Sequence, residues 1–163
     1  MPLSEILEHV ECHNTRFVCV TGGEPLAQKN TLPLLTALCD AGYDVSLETS
    51  GALDISNVDQ RVSRIVDLKP PGSGESEKNR WQNIELLSPR DELKFVIIDR
   101  GDYEWMRDVI NTHQLDQVCP LLVSPVQGKI DSRELAEWIL ADQLPVRFQL
   151  QLHKLLWGNM QGK

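Results

Sequence analysis

Residues 17–25, Phe17-Val-Cys-Val-Thr-Gly-Gly-Glu-Pro25, join an apolar run to a glycine-rich turn. The run Phe17–Val20 has the β-branched and aromatic character that favours a buried strand. A helical pattern follows over residues 30–41, and Gly42 is placed to end it, because glycine readily adopts the left-handed conformation of a helix C-terminus. The stretch therefore predicts a strand, a turn and a helix, with Thr21 to Glu24 at the carboxyl end of the strand.

The same alternation continues along the chain. It predicts strands at 17–20, 44–47, 64–68, 93–98, 118–123 and 146–150, and helices at 3–13, 30–41, 103–112 and 131–141. Asn30 is a predicted helix cap, and Asp131 with Glu134 is a predicted capping box. Strands that alternate with helices join into right-handed βαβ units, so the fold class is predicted to be α/β with a mostly parallel sheet. We expect residues 1–163 to form a single domain.

Composition and charge limit the function. The formal net charge is −8 and the pI is about 4.9, which argues against non-specific binding to nucleic acid because such binding needs a basic surface. No apolar run approaches the roughly 20 residues of a membrane span. The N-terminal residues lack the basic and apolar regions of a secretion signal, so we expect a cytoplasmic protein with no membrane partner.

The four cysteines are Cys12, Cys19, Cys39 and Cys119. No two have the spacing of a CxxC or CxxxC pair, and their low density argues against a disulfide framework. We interpret them as small buried apolar residues. The sequence predicts no metal site in this chain.

The glycine-rich turn is the candidate binding element. Ligands of parallel α/β proteins bind beyond the carboxyl ends of the strands, and Gly22 and Gly23 would let a backbone approach a ligand closely. Exposed amides and carbonyls suit a zwitterion such as an amino acid, and Glu24 could bind its ammonium group. The alternative is a tight turn with a carboxylate that caps the following helix.

Val20-Thr21-Gly22-Gly23-Glu24-Pro25 resembles the GGEP motif of radical S-adenosylmethionine (SAM) enzymes. Glu48-Thr49-Ser50-Gly51 resembles the ETSG element of one family among them, the 7-carboxy-7-deazaguanine synthases. Asp67-Leu68-Lys69 lies where that family contacts SAM, although only Lys69 matches the Ser-Pro-Lys form of some members. Ser124-Pro125-Val126-Gln127 and the run from Gln149 to Lys154 resemble two further elements of the family. The resemblance extends over about residues 3–157.

The resemblance implies a lyase that converts 6-carboxy-5,6,7,8-tetrahydropterin to 7-carboxy-7-deazaguanine with loss of ammonia. This reaction belongs to the biosynthesis of 7-deazapurines such as queuosine, a modified nucleoside of tRNA. The implied cofactors are SAM, a [4Fe-4S] cluster and Mg²⁺. The implied fold is an incomplete (β/α) barrel. The implied partners are a second copy of the chain, in a homodimer, and a reductant protein such as flavodoxin.

The resemblance also implies roles for individual residues, although it assigns no catalytic residue. The expected SAM-binding residues are Gly22, Gly23, Glu24, Ser50, Asp67, Leu68, Lys69 and Gln127. The expected substrate-binding residues are Thr21, Glu48 and His153. Segment 69–80, rich in proline, glycine and serine, is either a lid over the ligand or a surface linker.

One family element is missing from the sequence. The family holds its cluster on a CxxxCxxC loop after the first strand, and this chain aligns with the family only from the following helix onward. We therefore expect the first βα unit, with the cluster and Mg²⁺ ligands, to be absent, and the chain alone to be inactive. Two explanations for the missing unit are open. One is a misplaced start codon or a truncated fragment, and the other is a genuinely shortened gene. We also expect an open, aggregation-prone edge along 17–20.

Two alternatives remain open. The chain could be a non-catalytic SAM- or pterin-binding remnant or pseudoenzyme, which the missing cysteine motif favours. It could also be another radical SAM enzyme that shares GGEP, although the run from Gln149 to Lys154 argues against this. An in-frame CxxxCxxC in the upstream DNA would favour an enzyme.

Anaerobic reconstitution with iron and sulfide tests the cysteine argument. We expect no iron and no visible thiolate–iron absorption, because the four cysteines lack the spacing that a cluster requires. Iron content and the absorption spectrum of the chain measure this. Stoichiometric cluster binding by these cysteines would contradict the prediction.

Overall fold

The structure is a computed structural model that describes residues 2–158 and 160, without the side chains of 153–155. Its strands form one sheet in the order β1-β2-β3-β4-β5-β6, and every neighbouring pair is parallel. The strands are Phe17–Val20, Asp44–Thr49, Ser63–Asp67, Glu92–Ile97, Leu121–Pro125 and Arg147–Phe148 (β1–β6). Parallel strands that neighbour one another in chain order are the arrangement of a (β/α) barrel. The predicted α/β class with a parallel sheet is confirmed, and β1 and β6 are the edges of the described sheet.

Five helices accompany the sheet in the described residues: Leu3–Glu11, Thr31–Asp40, Arg100–His113, Ser132–Ala141 and Leu152–Trp157 (α1–α5). The first four confirm the predicted helices. α3 begins earlier than predicted because the Asp99 side chain accepts a hydrogen bond from Asp102 N at 3.0 Å. α5 was not predicted, since its six residues are too few to show a periodic pattern. No described helix combines the length and apolar character needed to cross a membrane.

Of the two predicted N-terminal helix caps, Asp131 makes a capping hydrogen bond and Asn30 does not. The Asp131 carboxylate accepts a hydrogen bond from Arg133 N at 2.8 Å and so caps α4. Asn30 occupies the cap position of α2, but its side chain makes no capping hydrogen bond. Gly42 follows the end of α2 with a φ of +87°, as the predicted helix end requires.

Two strands differ from the sequence prediction. β5 is shifted toward the C-terminus relative to 118–123, because Leu115–Gln117 forms a 3-10 turn and the ladder to β4 begins at Leu121. β6 has two residues instead of the five predicted over 146–150, since it pairs with β5 only through Arg147 and Phe148. Apolar character alone did not reveal where pairing starts and stops.

One face of the sheet forms the core. Side chains alternate between the two faces of a strand, and on β4 Leu93, Phe95 and Ile97 are fully buried. They belong to a core that includes Leu35 and Met106 from the helices. The opposite face carries the alternate residues, which include the polar Glu48, Asp67 and Lys94 and the apolar Ile65 and Val96, all of them only partly covered. The described sheet therefore has a helix-covered face and a more open face of mixed polarity.

The prediction that the cysteines are buried is wrong for two of them. Cys119 is buried and Cys39 is half-buried, but Cys12 and Cys19 are exposed. Cys12 follows the end of α1, where nothing covers it. Cys19 is exposed because β1 is an edge strand and its neighbour Phe17 is itself 72% exposed. The edge position that the sequence predicted for 17–20 is thus present in the described sheet.

Segment 69–80 is fixed to its surroundings. Asn79 accepts a hydrogen bond from Lys69 N at 2.9 Å and donates one to Lys69 O at 2.8 Å. Gly72 N donates to Asp102 Oδ1 at 2.7 Å, and Asp102 is only 2% exposed. The segment forms the 3-10 turns Pro71–Ser73 and Ser76–Lys78. The Lys69–Asn79 hydrogen bonds close the segment on itself, and the Gly72–Asp102 hydrogen bond ties it to α3.

Gly72→Ala tests this attachment. A Cβ at position 72 would lie 2.6 Å from Asp102 Oδ2, so the Gly72–Asp102 hydrogen bond must break or the backbone must move. We expect a loss of about 1–3 kcal/mol in the free energy of unfolding, measured by urea denaturation. The control is Gly101→Ala, whose Cβ would have its nearest neighbour, Asp99 Oδ1, at 3.3 Å. Equal stability of the two variants would contradict the prediction.

Candidate functional site

A polar groove lies at the carboxyl ends of the strands. Its narrower part, about 120 Å³, is lined by Thr21, Gly23, Glu48, Thr49, Ser50, Ile65, Asp67, Lys69 and Lys94. Its wider part, about 510 Å³, is lined by Thr21, Glu48, Lys94, Ser124, Gln149, Leu150, Gln151 and Leu152. Since Thr21, Glu48 and Lys94 line both parts, the two form one groove. Elements that are far apart in sequence meet there.

The glycine turn presents bare backbone to this groove. Gly22 and Gly23 have φ angles of +100° and +56°, and a Cβ on either would meet no atom within 4 Å. Positive φ values strain residues that carry a side chain. The two glycines therefore satisfy the conformation of the turn, and they leave its amides and carbonyls accessible to a ligand.

Glu24 connects this turn to the end of β2. Its Oε1 accepts hydrogen bonds from Thr49 Oγ1 at 2.8 Å and Leu26 N at 3.1 Å. Its Oε2 accepts one from Ser50 N at 2.7 Å and another from Ser50 Oγ. Partial burial raises the pKa of Glu24, but the hydrogen bonds from Ser50, Thr49 and Leu26 outweigh it and lower the pKa below its ordinary value. The ionised carboxylate thus holds two walls of the groove together.

Asp67 and Lys69 form the third strand end. Lys69 Nζ lies 2.7 Å from Asp67 Oδ2, whereas Asp67 Oδ1 is buried with no hydrogen-bond partner among the described residues. Buried polar atoms are nearly always paired in proteins. Asp67 can therefore accept a donor from a ligand. Leu68 is 2% exposed, so its side chain belongs to the core.

The wider part of the groove also contains buried side-chain oxygens that lack a hydrogen-bond partner in the described structure. Within the described part of the chain, Ser124 Oγ and Gln151 Oε1 are buried and have no hydrogen-bond partner. Both residues line this part of the groove. Such atoms are expected to bond to water or to a ligand. Both parts of the groove therefore offer hydrogen-bond acceptors to a ligand.

The structure brings most of the predicted site residues together. Thr21, Gly23, Glu48, Ser50, Asp67 and Lys69 line the groove, and Gly22, Glu24 and Leu68 adjoin them in sequence. Gln127 is exposed and lines neither part. The side chain of His153 lies outside the described residues, although its backbone belongs to α5.

Sequence reasoning missed Lys94, Ser124 and the glutamines of the wider part as individual residues. Lys94 had a detectable signal, because it is a charged residue between Leu93 and Phe95 in an otherwise apolar strand. Alternation along a strand places such a residue on the face opposite the core. Ser124 and Gln151 belong to segments that resemble family elements, but no local pattern indicates that their side chains lie in the groove.

The described residues fit SAM but not a metal cluster. The bare glycine turn and the unpaired Asp67 Oδ1 match the polar groups of an amino acid, which is the methionine end of SAM. In contrast, no group of three or more His, Cys, Asp or Glu side chains among the described residues could hold a metal ion. The described side chains therefore lack the ligand group that an iron–sulfur cluster requires.

Comparison with curated proteins identifies several relatives. The chain is 44% identical over 161 residues to the 7-carboxy-7-deazaguanine synthase of Chlorobaculum tepidum, and the match covers 97% of this chain and 73% of the relative. It is 43% identical over 155 residues to the enzyme of the same name from Koribacter versatilis, covering 86% of this chain and 69% of the relative. No model of a known protein family matches the chain.

Solved structures share the fold. The structure of QueE from Escherichia coli matches with a TM-score of 0.71 and 22% identity, covering 93% of this chain and 64% of QueE. Streptococcus suis SuiB bound to S-adenosylmethionine matches with a TM-score of 0.67 and 15% identity, covering 96% of this chain and 44% of SuiB. These likenesses confirm the expected incomplete (β/α) barrel.

Glu24→Gln tests the connection between the two strand ends. The glutamine amide would place a donor against Ser50 N or Leu26 N, so we expect a loss of about 1–3 kcal/mol in the free energy of unfolding at pH 7. The folded pKa of Glu24 lies below its ordinary value of 4.5. The advantage of the wild type is therefore complete above pH 4.5 and is lost as the pH falls through the folded pKa.

The matched control is Glu48→Gln, measured by urea denaturation across the same pH range. Glu48 lies in the same groove, but its ionic contact in the described structure is the distant Lys94 Nζ at 3.8 Å. We expect a smaller loss than for Glu24→Gln, because the 3.8 Å contact with Lys94 Nζ is too long for a hydrogen bond. A pH-independent loss in Glu24→Gln, or an equal loss in both variants, would contradict the role assigned to Glu24.

Proposed function

The chain belongs to the 7-carboxy-7-deazaguanine synthase family, and on that premise we propose that its groove binds SAM and 6-carboxy-5,6,7,8-tetrahydropterin. The proposed reaction forms 7-carboxy-7-deazaguanine with loss of ammonia, as a step toward queuosine or another 7-deazapurine. The main support for the proposal is the set of residues that line the groove. It combines the glycine turn, the end of β2 and Asp67 with Lys69 into one polar surface, in a chain 44% identical to a relative of that name.

The narrower part of the groove is the proposed site for the methionine end of SAM. Gly22 and Gly23 offer backbone amides and carbonyls, Ser50 adds a hydroxyl, and Asp67 Oδ1 can accept a hydrogen bond from the ammonium group. Lys69 is the cation beside the ligand's carboxylate. When bound and reduced by one electron, SAM would supply the hydrogen-atom abstraction that starts the family's reaction.

Three other residues have less direct proposed roles in binding SAM. Glu24 acts by holding the turn against Ser50, and Leu68 contributes only backbone. Gln127 is proposed to contact the adenosine end, which requires a ligand that extends beyond the described groove. In that arrangement the chain binds and orients SAM through three successive strand ends.

The wider part of the groove is the proposed site for the pterin. Glu48 is a hydrogen-bond acceptor suited to the ring N–H groups, and Thr21 lies beside it at the end of β1. Ser124 and Gln151 offer buried oxygens without partners among the described side chains, which a pterin with its many N–H donors could satisfy. His153 is the remaining proposed substrate contact. These residues orient the substrate beside SAM.

Some properties of the complete enzyme are proposed from the family alone. They are a [4Fe-4S] cluster, Mg²⁺, a homodimer, a reductant such as flavodoxin, a cytoplasmic location and a single domain over residues 1–163. The described residues lack a ligand group for the cluster. Their proposed contribution is therefore to bind and orient SAM and substrate, and no chemical step is assigned to a metal.

A second candidate function is a non-catalytic protein that binds SAM or a pterin. The specific observation in its favour is the set of buried groove oxygens without described partners, which a ligand could satisfy whether or not a reaction follows. Both candidates use the same groove and predict the same ligands. They differ only in product formation.

Calorimetric titration with SAM tests the binding proposal. We expect wild-type chain to bind SAM, and Asp67→Asn to bind it about tenfold more weakly, because a charge-assisted hydrogen bond is lost. The control is Asp54→Asn, which changes a half-exposed carboxylate paired with Arg80 outside the groove. Absence of SAM binding to the wild type, or equal affinity in all three proteins, would contradict the proposal.

Product formation separates the two candidates. We expect 7-carboxy-7-deazaguanine, detected by mass spectrometry, when a family CxxxCxxC segment precedes residue 1 and the protein is reconstituted anaerobically with iron, sulfide, SAM, Mg²⁺, substrate and reductant. The control omits SAM. If the reconstituted protein has a cluster and binds SAM but forms no product, the non-catalytic function is favoured.

A further inference from the structure

Lys94 occupies the centre of the groove. It lies on β4 between Leu93 and Phe95, which are both fully buried in the core on the other face of the sheet. Its own side chain turns to the open face and is 19% exposed. Together with Thr21 and Glu48, it forms the wall shared by the narrower and wider parts. The sequence elements that resemble the family do not include this lysine.

The ammonium group of Lys94 is incompletely paired. Its Nζ lies 3.8 Å from Glu48 Oε2, which is too long for a hydrogen bond. Asp67 lies directly across the ladder from Lys94, but Asp67 Oδ2 is already 2.7 Å from Lys69 Nζ. Among the side chains that the structure describes, Lys94 Nζ has no hydrogen-bond acceptor, although an ammonium group has three donors.

This arrangement favours an anionic ligand. A largely covered charge without a close partner is costly, and an anion that approaches it recovers the lost solvation. Lys69 does not require an added anion in the same way, because Asp67 already pairs with its ammonium group. Glu48 beside Lys94 favours a hydrogen-bond donor on the same ligand, since its carboxylate accepts hydrogen bonds from N–H groups. The pair therefore suits a ligand with an N–H group next to a carboxylate.

We propose that Lys94 binds the 6-carboxylate of the pterin while Glu48 accepts a hydrogen bond from the adjacent N5–H. This assignment rests on the proposed function, and it makes Lys94 the residue that selects carboxylated over uncarboxylated tetrahydropterins. The 6-carboxylate and N5–H are carried by neighbouring ring atoms, so one edge of the ligand can face both Lys94 Nζ and Glu48 Oε2, which lie 3.8 Å apart. Thr21 and Gln151 then face the remainder of the ring.

The proposal is tested by anaerobic calorimetry with two ligands that differ only in the carboxylate, 6-carboxy-5,6,7,8-tetrahydropterin and 5,6,7,8-tetrahydropterin. We expect wild-type chain to prefer the carboxylated ligand by about tenfold. Lys94→Met should lose this preference and retain its affinity for the uncarboxylated ligand, which also reports that the variant is folded. Lys94→Arg should keep part of the preference, because it keeps the charge.

The matched control is Lys78→Met, which removes a lysine that is 66% exposed and paired with Glu75 on the surface. It should bind both ligands as the wild type does. Persistence of the preference in Lys94→Met would overturn the assignment, and so would its loss in Lys78→Met. Equal binding of both ligands by the wild type would overturn the assignment but leave the proposed function standing.

Two more binding results would give Lys94 or the groove a different role. If Lys94→Met weakens SAM binding and leaves the preference between pterins unchanged, Lys94 serves the carboxylate of SAM and the assignment is wrong. If the wild type binds neither pterin while it is folded, the proposed function itself fails, and the assignment fails with it.

Discussion

The parallel ladder in chain order is the constraint on which the rest of the structure depends. Because all six strands run in one direction, their carboxyl ends meet along one edge, and distant segments of the sequence become neighbours there. The same ladder fixes which side chains face the helices and which face the groove, since a strand alternates its side chains. Lys94 faces the groove for the same reason that Leu93 and Phe95 face the core. A one-residue shift in register would exchange the two sets.

Glu24 shows how a binding motif can also be structural. A sequence reading places its charge beside a ligand, whereas the structure shows both oxygens accepting hydrogen bonds from Thr49, Ser50 and Leu26. The glycines next to Glu24 need a fixed backbone to present their amides usefully. Glu24 provides it by joining the turn to the neighbouring strand. The glutamate therefore supports the ligand site through the strand end that it holds.

Sequence patterns predicted the fold class, the first four helices and most strand ends because these depend on local periodicity and turn chemistry. The residues that escaped prediction depend on pairing and curvature. Cys19 was wrongly expected in the core because its apolar neighbours do not reveal that β1 is an edge strand. The length of β6 and the presence of α5 follow from where pairing with β5 stops. Motif resemblance identified Asp67, but only the structure shows that one of its oxygens has no described partner.

The unpaired oxygens of the groove also affect the stability of the fold. Asp67 Oδ1, Ser124 Oγ and Gln151 Oε1 are buried acceptors without partners in the described structure, and each such atom lowers the free energy of unfolding unless a donor is supplied. A ligand that donates to them binds the folded chain and not the unfolded chain. Folding is then thermodynamically linked to ligand concentration. The cellular supply of small molecules would in that case help to determine how much of the chain is folded, and so how long it survives proteolysis.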